Sequence, residues 1–107
     1  MLYIDSTAMV KVVVEEAESP SLRRVVADGG SLASSALLRT EVGRALRRAD
    51  AAAADAVLRP VLTGVTLVSV SRQILDAAVR VGRPELRSLD AIHLATALSL
   101  EVDAFVA

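Results

Sequence analysis

Apolar residues in this chain fall into short contiguous runs separated by stretches in which they recur every third or fourth position. Leu2–Asp5 reads as a strand, followed by Ser6-Thr7 as a helix cap and an apolar helix over Ala8–Val14 that ends in the acidic stretch Glu15–Glu18. Ser19-Pro20 restarts a helix, with Ser19 as N-cap and Pro20 in the first turn, and Asp28-Gly29-Gly30 stops it. Ser31–Ser34 has only weak strand character. Ala36–Ala49 is a strong helix, because Leu38, Val42, Ala45, Leu46 and Ala49 repeat at helical spacing, and Asp50–Leu62 continues as another, bent at Pro60. The β-branched run Val65–Val70 predicts a central strand. Ser71 caps a helix over Arg72–Val81, Gly82-Arg83-Pro84 breaks it, a last helix runs from Ser88 or Leu89 to about Leu100, and Asp103–Ala107 is a final strand.

Strands alternating with helices imply right-handed parallel crossovers, and so a three-layer α/β domain with a parallel sheet flanked by helices. In such sheets, sites lie beyond the carboxyl ends of the strands. Asp5 stands at that rim on topology alone.

Composition alters this picture little. The chain has 107 residues, the length of one domain able to bury a core without staples. Hydrophobic residues make up 53% and aromatics only 2%, so the core is aliphatic and base stacking on aromatic rings is disfavoured. A net charge of −1 gives no global basic field, yet Arg39, Arg44, Arg47 and Arg48 cluster on one segment. The absence of cysteine excludes disulfides and thiolate metal sites. With no signal-peptide pattern at the start and no apolar run long enough to span a membrane, a soluble cytoplasmic protein is expected. Val12, Val13, Leu22, Val25 and Val26 exceed what one small sheet face needs, so another chain is expected to cover some of them.

Three carboxylates are placed where ordinary surface acids are not expected. Asp5 closes the run Leu2-Tyr3-Ile4, Glu41 flanks the apolar stripe of its helix, and Asp90 opens the run Asp90-Ala91-Ile92-His93-Leu94-Ala95. Each has a structural explanation of its own: a turn acid for Asp5, an ion pair with Arg44 or Arg48 for Glu41, and helix capping for Asp90. A shared site explains all three at once, since crowded carboxylates at the rim of a core raise their pKa values or hold cations. Hard oxygen donors suit Mg²⁺ or Mn²⁺. His93, one turn beyond Asp90, is within reach of such a site, although a lone histidine in an apolar helix is more often a satisfied core residue. An aspartyl phosphatase would want Asp where Thr7 stands, and a phospho-receiver would want a Lys at a later strand end, whereas the single lysine is Lys11. The turn Ser6-Thr7-Ala8 cannot serve as a glycine-rich phosphate loop.

These residues also carry a family resemblance. Tyr3-Ile4-Asp5-Ser6-Thr7-Ala8-Met9-Val10-Lys11, then Ser35-Ala36-Leu37 ahead of Glu41, then Arg87-Ser88-Leu89-Asp90-Ala91-Ile92-His93-Leu94-Ala95-Thr96-Ala97 resemble a PIN-domain ribonuclease of the VapC toxin type. The resemblance implies a Mg²⁺- or Mn²⁺-dependent endoribonuclease, the toxin of a type II toxin–antitoxin pair, with Asp5, Glu41 and Asp90 as catalytic metal ligands. Ser6 or Thr7 would order the site. Arg39, Arg44 and Arg48 are in addition candidate RNA phosphate contacts, although a solvated helix face is the commoner setting for any one of them. A VapB-type antitoxin and a second copy of the chain would be partners. The family's fourth acid and its terminal segment would lie beyond Ala107, so the resemblance implies a single PIN-like domain, residues 1–107, cut short at its C-terminus. Asp103 precedes the last strand and does not take the fourth role. The competing expectation is a PIN scaffold that binds proteins and does not cleave.

Overall fold

The computed structural model describes residues 1–14 and 19–107. In chain order its elements are β1 (Leu2–Ile4), α1 (Ser6–Val13), α2 (Ser19–Asp28), β2 (Leu32–Ser35), α3 (Leu37–Asp50), α4 (Ala54–Thr63), β3 (Val65–Val68), α5 (Arg72–Ala78), α6 (Ser88–Leu98) and β4 (Ala104–Val106). The acidic stretch Glu15–Glu18 lies outside the described residues.

The strands form one sheet in the order β3-β2-β1-β4, and every neighbouring pair is parallel, as the alternating pattern requires. Leu2 pairs with Leu32 on one side and with Ala104 on the other. Successive residues of a strand face opposite sides. Ile4 accordingly packs with Ala8, Met9, Leu38, Val42 and Leu46 from α1 and α3, while Tyr3 meets His93 of α6. The sheet is thus covered on both faces, and the expected α/β layering holds.

Strand positions depart from the sequence reading. The β-branched run ends at Val68 and lies at an edge, whereas the weak serine-rich run becomes β2, an interior strand. Its small residues Ala33, Ser34 and Ser35 are fully buried, with α3 and α6 both packed against the strand. The Ser34 hydroxyl donates to the Ile4 carbonyl at 2.6 Å, which satisfies a polar group that burial would otherwise penalise. Position in the sheet follows from what packs above and below, not from β-propensity alone.

Helix starts show a similar mixture. Ser71 caps α5 as expected, its Oγ accepting from the Ile74 N–H at 3.2 Å. At α1, however, the cap is Asp5, whose Oδ1 accepts from the Ala8 N–H at 2.9 Å, and Ser6 is already helical and buried. Ser19 opens α2 by donating to the carbonyls of Lys11 and Val14, so it ties α2 to the end of α1. Gly30, at φ +77°, then turns the chain into β2.

The surplus apolar residues of α1 and α2 mostly need no partner chain. Val12, Val13 and Val26 pack against the core cluster, and Val25 alone of the five is a strongly exposed residue, at 46%. Instead, Leu75, Val79, Leu86, Leu89 and Leu98 are exposed on and around α5 and α6. The last helix is therefore not buried all round: Ala91, His93, Ala95, Thr96 and Ala97 face inward, while Leu98 is 69% exposed. No helix among the described residues is long and apolar enough to cross a membrane.

Candidate metal centre and RNA groove

At the carboxyl rim of the sheet, the end of β1 delivers Asp5 directly into α1. Capping occupies its Oδ1 and leaves Oδ2 without a hydrogen bond among the described residues. Burial pushes the Asp5 carboxyl above the usual carboxylate range, the Ala8 N–H and the His93 ring oppose that rise, and the charges of Asp90 and Glu41 add to it. Asp5 thus serves as the turn acid considered from sequence and also feels both of the other predicted acids.

Glu41 reaches this rim from α3. Leu38, Val42 and Leu46 form the buried stripe of that helix, and Glu41 stands beside it with its side chain 28% exposed. Its Oε1 accepts from the Ser6 hydroxyl at 2.8 Å and lies 2.8 Å from His93 Nε2. Neither Arg44 nor Arg48 pairs with it among the described residues. The surface ion pair considered from sequence is replaced by bonds to two buried polar groups.

Asp90 stands in the first turn of α6 and is exposed. The N-cap position belongs to Arg87, which makes no side-chain capping bond, so Asp90 is not held there as a cap. The helix dipole favours a carboxylate in this turn. Of the two candidate hydroxyls, Ser6 is buried against Glu41, whereas Thr7 is exposed.

A groove of about 290 Å³ joins Ser6, Thr7, Val10, Lys11, Glu41, Ala45 and Arg48. Arg48 also lines an adjoining depression of about 300 Å³ with Arg44, Arg47 and Ala51. Acid and arginine residues therefore share a continuous surface. Arg39 stands apart, in a depression between α3 and α4 with Asp55, Leu58, Arg59, Leu62 and Thr63. On a helix, Arg39 and Glu41 differ by about 200°, which separates them onto opposite flanks. Asp103 lies just before β4, at the opposite edge of the sheet, where its N–H donates to the Met1 carbonyl at 2.8 Å.

Among the described residues no three Asp, Glu or His side chains converge into a ready cage for a metal ion. The donors nevertheless suit a small hard cation. Their oxygens are carboxylate, one oxygen on each of Asp5 and Glu41 is uncommitted, and Mg²⁺ is held through one or two carboxylates with water and phosphate completing its shell. The mutual repulsion felt by Asp5 is what a divalent charge would relieve.

The part of the site that the sequence did not reveal is the connection through His93. Its ring is 3% exposed and bridges Tyr3, by 2.7 Å from Nδ1 to the hydroxyl, to Glu41. It is a satisfied core histidine, as expected, but one whose hydrogen bond ends on a predicted ligand. The one-turn offset from Asp90 was the available signal.

Comparison with known proteins identifies the family. The sequence matches the PIN domain family over residues 2–107. It is 46% identical over 102 residues to Ribonuclease VapC46 of Mycobacterium tuberculosis, covering 95% of this chain and 78% of that protein. It is 33% identical over 112 residues to Ribonuclease VapC47 of the same species, covering 99% and 82%. Among solved structures, M. tuberculosis VapC20, described as a sarcin-ricin loop cleaving toxin, superposes with a TM-score of 0.81 at 19% identity, over 98% of this chain and 87% of that one. A toxin–antitoxin complex from Klebsiella pneumoniae superposes with a TM-score of 0.76 at 20% identity, over 97% and 83%. The two superpositions establish a shared fold.

Proposed function

Because the chain belongs to the PIN-domain family and to its VapC-type ribonucleases, we propose that it is a Mg²⁺- or Mn²⁺-dependent endoribonuclease acting at the Asp5–Glu41–Asp90 rim. The observation that carries this reading is geometric: Glu41 accepts at 2.8 Å from Ser6, the residue after Asp5, and lies 2.8 Å from His93, one turn beyond Asp90, so segments that carry the three acids meet at one rim. Three acids from distant segments sharing one electrostatic neighbourhood is difficult to explain by capping or surface pairing.

In this reading Asp5 and Glu41 would hold the cation through their uncommitted oxygens, and Asp90, exposed at the start of α6, would be the third carboxylate ligand. When bound, the cation would acidify a water and offset the charge of the scissile phosphate. Ser6 holds Glu41 through Oε1 and so limits the rotamers open to that carboxylate. Arg48 and Arg44 line the surface beyond Glu41, where guanidinium forks can grip phosphate oxygens and set the register of the RNA. Arg39, in its separate depression, is a weaker candidate for that strand.

The chain is further proposed to be the toxin of a toxin–antitoxin pair, acting in the cytoplasm as a homodimer, with a VapB-type antitoxin occluding the groove. Support comes from the VapC ribonucleases it is similar to and from the K. pneumoniae neighbour, which is a toxin–antitoxin complex.

The test is Mn²⁺ titration calorimetry and RNA cleavage on the wild type and on Asp5→Asn, Glu41→Gln and Asp90→Asn. Each substitution is expected to weaken Mn²⁺ binding and suppress cleavage while leaving the fold intact. Unchanged Mn²⁺ affinity in all three would remove the metal centre and leave a protein-binding PIN scaffold as the better account.

A further inference from the structure

The buried chain Tyr3–His93–Glu41 runs from β1 through α6 to α3 as one connected line of hydrogen bonds. We propose that His93 is a positioning residue for the Glu41 carboxylate and that the Tyr3 hydroxyl fixes the tautomer in which His93 does so. This rests on the reading of Glu41 as a metal ligand.

The argument follows the donors and acceptors. An ionised carboxylate only accepts, so the 2.8 Å approach of His93 Nε2 to Glu41 Oε1 requires a proton on Nε2. In a neutral imidazole Nδ1 is then an acceptor. The partner found there, the Tyr3 hydroxyl at 2.7 Å, is able to donate to it. With the proton on Nδ1 instead, the Nε2 lone pair would face a carboxylate oxygen, and its other neighbour, the Ser6 hydroxyl at 3.3 Å, already donates to that oxygen at 2.8 Å. The rings of Tyr3 and His93 meet edge to face, at 74° and 5.9 Å between centroids, and Phe105 stacks on the other side of Tyr3 at 5.0 Å. The phenol therefore has little freedom to turn away.

The effect is focused on one oxygen. Both Ser6 Oγ and His93 Nε2 bind Oε1, and no hydrogen bond reaches Oε2 among the described residues. A glutamate has three side-chain torsions, and two donors on one oxygen remove most of the freedom before any cation arrives. Outer hydrogen bonds of this kind typically change metal affinity by about 10- to 100-fold when removed.

The experiment uses the full chain, metal-free and then titrated with Mn²⁺. Imidazole ¹⁵N NMR of the wild type is expected to show the Nε2–H tautomer; an Nδ1–H tautomer overturns the proposal. His93→Leu should lower Mn²⁺ affinity about 10-fold or more, and His93→Gln, whose amide N–H can reach Glu41, should recover most of it. Thermal stability read on the same samples separates this from packing, because recovery of affinity without recovery of stability marks a positioning role. Tyr3→Phe should leave both tautomers populated, with a smaller loss of affinity. If His93→Leu and His93→Gln bind Mn²⁺ alike, or if neither folds and Tyr3→Phe leaves tautomer and affinity unchanged, the proposal fails. Glu41→Gln distinguishes the two levels. Lost Mn²⁺ binding there with wild-type affinity in His93→Leu overturns the positioning role alone, and unchanged binding in Glu41→Gln overturns the metal reading with it.

Discussion

On one face of the sheet Ile4 meets Ala8, Met9, Leu38, Val42 and Leu46, a cluster of aliphatic side chains. On the other, Tyr3 meets His93 from a helix whose inward residues are otherwise Ala91, Ala95, Thr96 and Ala97, and Leu98 and Leu89 point outward. The first face gains its stability from apolar area removed from water. The second buries less carbon and depends on hydrogen bonds, which contribute modestly when made and cost more when broken. The polar face is also the one that reaches the acids, through His93 and Glu41. Stability is concentrated beside the site and not within it.

The largest effect should come from cutting into the aliphatic face. Leu38→Ala, at a fully buried position, is expected to lower unfolding free energy by about 2–5 kcal/mol in urea denaturation. If it proves no worse than a substitution on α5, the two faces do not differ as described.

Next in size is the polar face. Tyr3→Phe leaves a buried imidazole nitrogen without its donor and is expected to cost about 1–2 kcal/mol. The phenol supplies a pH signature as well. Its folded value lies at about 12, above the ordinary 10.0, so the unfolded chain ionises first and the Tyr3 contribution to stability is lost as pH rises through that interval. Alkaline denaturation should be shallower in Tyr3→Phe than in the wild type, and equal slopes would contradict the burial of this hydroxyl.

A smaller effect of opposite sign is expected at the rim. Because the folded state raises the Asp5 carboxyl, that group favours folding below the ordinary aspartate range and loses this contribution as pH rises through its folded value. At neutral pH without metal, Asp5→Asn should therefore be at least as stable as the wild type, keeping the cap through its amide oxygen, and the advantage should vanish on acidification. Thermal melts across pH would show it. A variant less stable than the wild type at neutral pH would mean that the cap charge outweighs the crowding.

Least affected should be the exposed end of the comparison. Val79→Ser, at 82% exposure, is expected to change monomer stability by no more than about 0.5 kcal/mol. A larger loss, dependent on protein concentration, would show that another chain covers this face.

Much of this molecule could be read from its sequence, and the misses have a common cause. Helical spacing in Leu38, Val42 and Leu46 and the cap at Ser71 are local signals, and both appear in the structure. The parallel architecture followed from the order of elements. Sheet position did not, because Ser34 and Ser35 become interior only through what α3 and α6 lay over them. The cap at α1 was misplaced by one residue since Asp5, Ser6 and Thr7 are all good capping types, and burial of Ser6 decides among them. The position of Asp5 at the carboxyl rim of the sheet was legible from the strand ends. The bond between His93 and Glu41 was not, for the two lie 52 positions apart and no one-dimensional period connects them.

One consequence of the strand order concerns synthesis. β1 is interior, and one of its neighbours is β4, whose residues leave the ribosome about a hundred positions later. Until then β1 has an open edge, and contacts of such long range form slowly. Asp5, Glu41 and Asp90 likewise come from three well-separated stretches of the sequence. On the proposed reading of the three acids, no complete site exists on a nascent chain until the segment carrying Asp90 has emerged, and a ribonuclease built this way spares its own message through the earlier part of its synthesis.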